Sequence, residues 1–221
     1  MIPVKENSDF VYHMEHVLDV YKRPYNKSNP VICIDESPKQ LIAEIRNPIP
    51  MERGKEKKTD SEYVRKGVCN IFMMIEPLGG KRIVKITDQR TKKDWAEWIK
   101  EIVDTEYPTA EKITLVQDNL NTHKPAVMYE FFEPIEAKRI IDKLEFIYTP
   151  KHGSWLDIAE IELNVLHSQC LKKRMEEKEQ VVKAANAWQR DRNNKTKGVN
   201  WQFTTERARI KLKRLYPTIL T

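Results

Sequence analysis

Two short apolar runs that each end at an aspartate constrain the fold of this chain more than any other feature. The first reads VICID and ends at Asp35, and the second reads ITLVQD and ends at Asp118. Continuous runs of this kind, rich in β-branched residues, are typical of central strands covered on both faces. If the two strands are neighbours, their carboxylates lie at one edge of the sheet, where α/β proteins commonly bind ligands. The alternative is that Asp118 and Asn119 open a turn, because their short side chains bond to nearby backbone.

The order of the remaining patterns predicts an α/β fold, a mixed sheet flanked by helices. The predicted elements are a helix over 9–21, a strand over 31–37, a hairpin of strands over 67–77 and 81–88, a helix over 91–103, a strand over 112–118, helices over 125–132 and 135–141, a strand over 144–150, helical structure from 157 onward and a last helix over 205–215. Gly79 and Gly80 mark the hairpin turn, and Thr91 with Asp94 forms a capping-box pattern. The polar stretch 46–63 is predicted to be an exposed loop.

Charge is unevenly distributed along the 221 residues, whose formal net charge is +6. Residues 171–221 carry 14 Lys and Arg against five Asp and Glu. A basic segment on a slightly acidic body suggests a polyanionic partner, most simply nucleic acid; the alternative is a solvated helical surface. The sequence has no membrane-spanning run, signal peptide or nucleotide-phosphate loop motif, and its three dispersed cysteines suggest reduced thiols. We therefore expect a cytoplasmic protein without a membrane partner.

Two unpaired carboxylates, Asp35 and Asp118, repel each other unless a cation lies between them. We therefore expect a cation at this edge, and a third carboxylate from another element as a further ligand. Mg²⁺ or Mn²⁺, which prefer oxygen ligands, would fit there. Glu160 is the candidate, in the first turn of the helix that follows YTPKHGSWLD, whereas Glu162 points to the other side of that helix. The alternative is structural: Asp157 as N-cap with Glu160 three residues later is a capping-box arrangement worth about 1 kcal/mol.

Three segments resemble the acidic motifs of DDE transposases of the mariner superfamily. They read CIDES, LVQDNLNTHKP and YTPKHGSWLDIAEIELNVL, and the closest resemblance is to the bacterial insertion-sequence family numbered 630. The similarity extends to SPKQLIAEIRNPIP and to WQFTTERARIKLKRLYP, and so covers nearly the whole chain from about Pro3. One difference is Asp157, which stands where the family usually has Asn in its third motif.

The resemblance implies a ribonuclease-H-like, retroviral-integrase-like fold in which Asp35, Asp118 and Glu160 are the catalytic and metal-binding residues. It also implies Mg²⁺ or Mn²⁺ as cofactor, with two ions per active site when DNA is bound. Glu36 is expected to support its neighbour or to face solvent. Further residues were considered as DNA contacts, with turn structure, loop solvation or the orienting of Asp118 as alternatives. They are Asn119, Asn121, His123, Lys151 and His152, together with Lys172, Lys173 and Arg174 of the basic segment.

The function implied is metal-dependent cleavage and strand transfer of double-stranded DNA, with element ends and a TA-containing target as substrates. A homodimer and association with the nucleoid are expected by the same analogy. Transposases of this family normally begin with helix-turn-helix domains, for which this chain leaves no room. We therefore expect a truncated piece, a second reading frame of a split element or a decayed copy. A DNA-binding relic and a stand-alone ribonuclease-H-type nuclease are the alternative functions.

The predicted organisation has three parts: an N-terminal helix and linker over 1–29, a catalytic core over 30–175, and a basic helical extension over 176–221 packed on the core. Trp155, Trp188 and Trp201 are expected to be packing residues rather than platforms on which bases stack.

Overall fold

A five-stranded mixed sheet forms the centre of the protein, whose computed structural model describes residues 2–3, 5–45, 54, 62–120 and 123–218. The strands are β1 (Val31–Glu44), β2 (Tyr63–Glu76), β3 (Lys81–Thr87), β4 (Ile113–Gln117) and β5 (Leu144–Tyr148). Their order across the sheet is β3-β2-β1-β4-β5. The two pairs β1–β2 and β2–β3 are antiparallel, whereas β1–β4 and β4–β5 are parallel. The predicted α/β architecture is confirmed, with β1 and β4 as neighbours.

The strand β1 is longer than predicted. It continues from Val31 to Glu44 instead of stopping near Ser37, and it passes through Pro38. Proline is tolerated because β1 pairs with β4 only from Val31 to Cys33, so the described strands leave that side of β1 unpaired at Pro38. The antiparallel partner β2 is also longer than predicted, and it begins at Tyr63. Of the predicted loop 46–63, only residues 54, 62 and 63 are described, and the rest lies outside the described residues.

Seven α-helices flank the sheet in the described part of the chain. They are α1 (Ser8–Tyr21), α2 (Lys92–Glu101), α3 (Met128–Phe131), α4 (Pro134–Asp142), α5 (Ile158–Leu166), α6 (Lys178–Asn194) and α7 (Thr205–Lys211). Residues of α2, α3 and α4 form the hydrophobic cluster on one face of the sheet. Residues of α1, α5, α6 and α7 form the cluster on the other face. None of the described helices is long and apolar enough to cross a membrane.

The helical structure after residue 157 is interrupted twice, and only the second interruption, ahead of the last helix at 205, agrees with the sequence pattern. A π-helical turn, His167–Leu171, extends α5, and residues 172–177 are not helical before α6 begins. A second break covers 195–204, ahead of α7. Apolar side chains pack against the core at both breaks: Leu171 and Met175 at the first, and Val199 at the second.

The helix α6 covers the outer edge of β3 through side chains. Asn193 exchanges two hydrogen bonds with the backbone of Arg82, both 2.8 Å long. Gln189 accepts a 2.7 Å bond from the backbone N–H of Val84. These amides therefore satisfy an edge strand that would otherwise present free backbone groups. The helices α1 and α6 share one hydrophobic cluster with the sheet, and the division at residues 29 and 175 stays a prediction.

The three tryptophans considered above pack against the protein. Trp188 lies in the core, and Trp155 and Trp201 are partly buried against the same cluster. The packing role predicted for them is confirmed.

Candidate active site

The site lies where β1 and β4 separate. Their parallel pairing ends at Cys33 and Val116, so Asp35 lies two residues beyond the last pair and Asp118 directly follows β4. The strand β1 does not stop at Asp35, as the sequence pattern suggested, but it leaves its parallel neighbour there. The side chains of Asp35 and Asp118 face one cavity of about 280 Å³. The cavity is lined by Asp35, Asp118, Asn119, Leu120, Thr149, Pro150, Lys151, His152, Ser154, Asp157 and Glu160.

Glu160 enters the same cavity from the first turn of α5. Asp157 is the N-cap of this helix, and its Oδ1 accepts a 2.8 Å hydrogen bond from the backbone N–H of Ala159. The reciprocal bond that would complete a capping box is not formed, so the carboxylate of Glu160 is not used in the cap. Glu162 is buried on the other side of α5, where it binds Arg82 and Arg192. Only one of the two glutamates faces the aspartates, as predicted.

Among the described residues, three of the four carboxyl groups in this cavity have no cationic partner at bonding distance, and Asp118 is paired with His123. Within the described residues, Asp35, Asp157 and Glu160 have no Lys, Arg or His partner within 4.0 Å. Burial, together with the charges of Glu36, Asp118 and Glu160, raises the pKa of Asp35 to about 7. Burial and the charge of Asp35 raise the pKa of Asp157 well above its ordinary value. This arrangement favours any cation that can enter the cavity.

His123 holds Asp118 from behind. Its Nδ1 lies 2.5 Å from Oδ1 of Asp118, and its Nε2 lies 3.3 Å from Oε1 of Glu36. Burial opposes a charge on the imidazole, yet the two carboxylates outweigh it and raise the pKa of His123 to about 9. A protonated imidazole donates to both carboxylates and fixes their directions. Glu36 therefore contacts the site indirectly, through its ion pair with His123.

A buried polar cluster keeps the ring of His123 in place. Trp95 stacks on it with the ring centroids 5.5 Å apart. The indole Nε1 of Trp95 donates to Oε1 of Gln117, and Nε2 of Gln117 donates to the backbone carbonyl of His123. The imidazole is 3% exposed, so the orienting role considered for His123 agrees with its position better than a DNA contact does.

The loop between β5 and α5 places Lys151 and His152 at the mouth of the cavity. Both side chains are exposed, and His152 has a φ of 64°. The backbone N–H of Gly153 donates a 2.8 Å bond to the carbonyl of Pro150, which closes a tight turn. A Cβ at Gly153 would lie 2.4 Å from Cγ of Pro150, so the turn needs glycine. Asn119 is exposed at the same mouth, and Asn121 lies outside the described residues.

The basic residues after α5 do not line the cavity. Lys172 and Lys173 are exposed in the segment between the π-helical turn and α6. Arg174 is partly buried, where its Nη1 lies 2.5 Å from Oε2 of Glu44 and its guanidinium stacks on Tyr63. The structure therefore places these three residues beside the long hairpin of β1 and β2, and the charge of Arg174 is already paired.

The donor set fits a hard divalent ion in type. Aspartate and glutamate oxygens are the ligands that Mg²⁺ and Mn²⁺ prefer. Within the described ranges, no three His, Cys, Asp or Glu side chains converge closely enough to hold a metal ion as they stand. Binding an ion would therefore require the carboxylates to draw together. Sequence reasoning missed the positions of two residues. Asp157, treated there as a helix cap, lines the cavity, and Gln117, whose burial at a strand end no pattern indicated, bonds to the backbone of His123.

A family model and several solved structures resemble the chain. A model described as DDE superfamily endonuclease matches residues 30–182. The Mos1 strand transfer complex aligns with a TM-score of 0.59 at 12% identity, over 89% of this chain and 58% of that one. The Mos1 mariner paired end complex with Mn aligns with a TM-score of 0.57 at 12% identity, over 86% and 58%. The catalytic domain of Mos1 mariner transposase aligns with a TM-score of 0.55 at 12% identity, over 85% and 84%. No curated protein matches.

At this identity the likeness to the solved structures concerns the fold. The predicted ribonuclease-H-like fold, a mixed sheet flanked by helices, is confirmed by its match to the Mos1 catalytic domain. The chain spans 58% of the length of the Mos1 chains in the two complexes.

Proposed function

The chain belongs to the DDE superfamily endonuclease family, and from this premise we propose that it is the catalytic part of a DNA transposase. The observation that carries the proposal is that Asp35, Asp118 and Glu160 line one cavity, in which Asp35 and Glu160 have no cationic partner within 4.0 Å among the described residues. These are the residues in which the sequence resembles the three acidic motifs of such enzymes. We assign them the catalytic and metal-binding roles.

The cofactor we propose is Mg²⁺ or Mn²⁺, with two ions per site once DNA is bound. The Mos1 paired end complex named above contains Mn, which supports a divalent ion for a chain of the same fold. The chemistry that bound divalent ions supply at such a site is activation of an attacking water and stabilisation of the leaving oxygen. Asp35, Asp118 and Glu160 are the residues that would hold such ions. His123 keeps Asp118 in the direction that ligation needs.

The reaction we propose has two steps on double-stranded DNA. Hydrolysis of a phosphodiester frees a 3′-hydroxyl at the element end, and that hydroxyl then attacks a phosphodiester of the target, which releases the target's 3′ oxygen. A TA-containing target, an insertion sequence of the 630 type, a homodimer and a place at the nucleoid in the cytoplasm are the finer parts of the proposal. They rest on the resemblance of the motifs, and the Mos1 complexes are those of a paired end and a strand transfer.

Contacts with the DNA backbone are proposed at two places. Asn119, Lys151 and His152 stand at the mouth of the cavity, where a phosphate must pass to reach the carboxylates. Lys172, Lys173 and the basic residues of 176–221 form the second place, and Arg174 can contribute only if it leaves Glu44. Phosphate contacts of this kind weaken steeply with salt.

The test is nicking and strand joining on a supercoiled plasmid with Mn²⁺ at low salt. The wild-type chain is compared with Asp118→Asn, which keeps the shape of the side chain and removes its charge. We expect metal-dependent nicking and joined products from the wild type and neither from the variant. Nicking without joining would favour the stand-alone nuclease instead.

The matched control is Asp191→Asn, an exposed carboxylate of α6 paired with Lys195. It should nick as the wild type does. If the wild type binds DNA but stays inert, with chelator and with Mn²⁺ alike, the proposal of a competent catalytic part is wrong and the DNA-binding relic replaces it.

A further inference from the structure

Asp157 uses its two carboxylate oxygens differently. Oδ1 caps α5 through the 2.8 Å bond from Ala159 described above. Oδ2 is buried and has no hydrogen-bond partner among the described residues, although the whole residue is only 2% exposed. Buried polar atoms are nearly always paired, so an oxygen left without a partner calls for a physical reason.

No donor of the described chain bonds to this oxygen, although Nε1 of Trp155 is also buried without a partner. The hydroxyl of Tyr21 donates a 2.7 Å bond to the carbonyl of Leu156, and it also lies 3.4 Å from Sγ of Cys33. No Lys, Arg or His of the described chain pairs with Asp157. The residue instead forms part of the wall of the cavity, together with Asp35, Asp118 and Glu160.

A capping role alone does not account for this side chain. Asn and Ser cap helices about as well as Asp, and neither brings a second carboxyl oxygen into a buried position. Removing a carboxylate from water without a partner is costly. An aspartate at this place is therefore explained if its second oxygen binds something that the protein itself does not supply.

We propose that Asp157 is a fourth carboxylate ligand of the metal site, with Oδ1 capping α5 and Oδ2 binding the divalent ion that Asp35 also binds. The proposal rests on the proposed function, because it takes the metal site of Asp35, Asp118 and Glu160 as given. Asp35 is the ligand with which Asp157 is proposed to share an ion, and the two side chains line the same cavity.

Two consequences distinguish this role from a structural one. A fourth negative ligand strengthens binding of a divalent ion, since affinity at oxygen sites rises with the number of charged ligands. Without metal, the same carboxyl group places beside other carboxyl groups a buried oxygen that has no hydrogen-bond partner in the described chain, and this destabilises the fold. Replacement of Asp157 by Asn should therefore stabilise the metal-free protein and weaken metal binding at the same time. A simple cap predicts neither effect.

The experiment measures Mn²⁺ binding by the electron paramagnetic resonance signal of free Mn²⁺, without DNA. Thermal unfolding of the same samples is recorded with chelator and with saturating Mn²⁺, because an ion that binds only the folded state raises the melting temperature. We expect Asp157→Asn to weaken Mn²⁺ binding by about tenfold or more. Its melting temperature in chelator should rise, and the increase caused by Mn²⁺ should shrink.

Asp157→Ser is the second variant, since serine retains the cap but has only one oxygen. It should lose Mn²⁺ affinity as Asp157→Asn does. Asp191→Asn, the exposed substitution on α6, is the control for the loss of one negative charge and should bind Mn²⁺ as the wild type does. Asp35→Asn reports on the metal site itself.

The outcomes separate this inference from the proposed function. If Asp35→Asn loses Mn²⁺ binding but both Asp157 variants bind as the wild type does, Asp157 is only a cap and the inference is wrong, while the metal site stands. If Asp35→Asn binds Mn²⁺ unchanged, the metal site assigned here is wrong, and the inference falls with it. Loss in all three variants, but not in the control, supports both.

Discussion

The two glutamates of α5 lie in opposite electrostatic surroundings. Glu162 is 4% exposed, and its Oε1 receives bonds from Arg82 at 3.0 Å and from Arg192 at 2.7 Å. Arg82 is itself satisfied, since its Nη1 also donates to the carbonyls of Gly80 and Lys197. Glu160, two residues earlier on the same helix, faces a cavity with three aspartates and has no cationic partner in the described part of the protein.

This difference separates a carboxylate that the protein pairs with arginines from carboxylates that it leaves without such partners. Where a buried carboxylate holds the fold together, the chain supplies guanidinium groups from β3 and α6 to pair with it. At the edge between β1 and β4, four carboxylates share a cavity. Among the described residues His123 pairs with Asp118 from behind, and Lys151 stands at the mouth without an ion pair to any of the four. An external cation is the expected complement.

The largest effect should follow from removing Glu162, the carboxylate that is paired with two arginines. Glu162→Ala leaves Arg82 buried with its charge uncompensated, so the free energy of unfolding should fall by about 3–5 kcal/mol. Urea unfolding at neutral pH measures it. Glu160→Ala is the matched control on the same helix, and its unfolding free energy in chelator should stay equal to that of the wild type or rise. Equal losses in the two variants would contradict the distinction between the two sides.

Activity, unlike stability, should depend on Glu160. Glu160→Gln keeps the volume of the side chain and removes a proposed ligand, so metal-dependent plasmid nicking should disappear while the urea midpoint is retained. A nicking rate equal to that of the wild type would remove Glu160 from the site. Glu160 would then be a residue of the first turn of α5 without a role in metal binding.

A smaller effect is expected from the residue that orients Asp118. His123→Gln removes the imidazole between Asp118 and Glu36, and loss of such an orienting contact typically weakens metal binding by about 10–100-fold. Mn²⁺ titration without DNA measures it. His152→Gln, at the exposed mouth of the cavity, is the matched histidine control and should leave Mn²⁺ affinity unchanged. Similar losses in both would show that His123 has no special role.

The smallest effect concerns a paired carboxylate at the surface. The hydrogen bond from Arg23 lowers the pKa of Glu145 from 4.5 to about 2. A lowered pKa stabilises the fold fully above pH 4.5, and this stabilisation is lost as the pH falls from 4.5 towards 2. Glu145→Gln should therefore flatten the acid limb of stability against pH slightly, as thermal melts between pH 2 and 6 can record. An unchanged limb would mean that the pair of Arg23 and Glu145 adds nothing to the free energy of unfolding, as is the case for many surface ion pairs.

The sequence was sufficient for the parts of the site that follow from strand ends. Asp35 and Asp118 each end an apolar run, and neighbouring parallel strands bring such residues to one edge. Glu160 was ambiguous in sequence, because Asp157 and Glu160 match a capping box. The structure resolves the ambiguity, since the cap is made by Asp157 alone.

Other features depend on tertiary contacts that no local pattern carries. The extension of β1 through Pro38 depends on the described strands leaving that side of β1 unpaired beyond Cys33, which is a property of the sheet rather than of the segment. The position of His123 depends on Trp95, which is distant from it in the sequence, and on Gln117, whose burial no periodic pattern indicates. The unpaired Oδ2 of Asp157 can be recognised only once its neighbours are known.

The measurement that tests the central claim most directly is anomalous diffraction from a crystal of the protein soaked in Mn²⁺. The account predicts a manganese peak in the cavity between β1, β4 and α5, in direct contact with the carboxylates of Asp35 and Asp118. A soaked crystal with manganese bound elsewhere, or with none in this cavity, would contradict the claim that the carboxylates of this edge form a metal site.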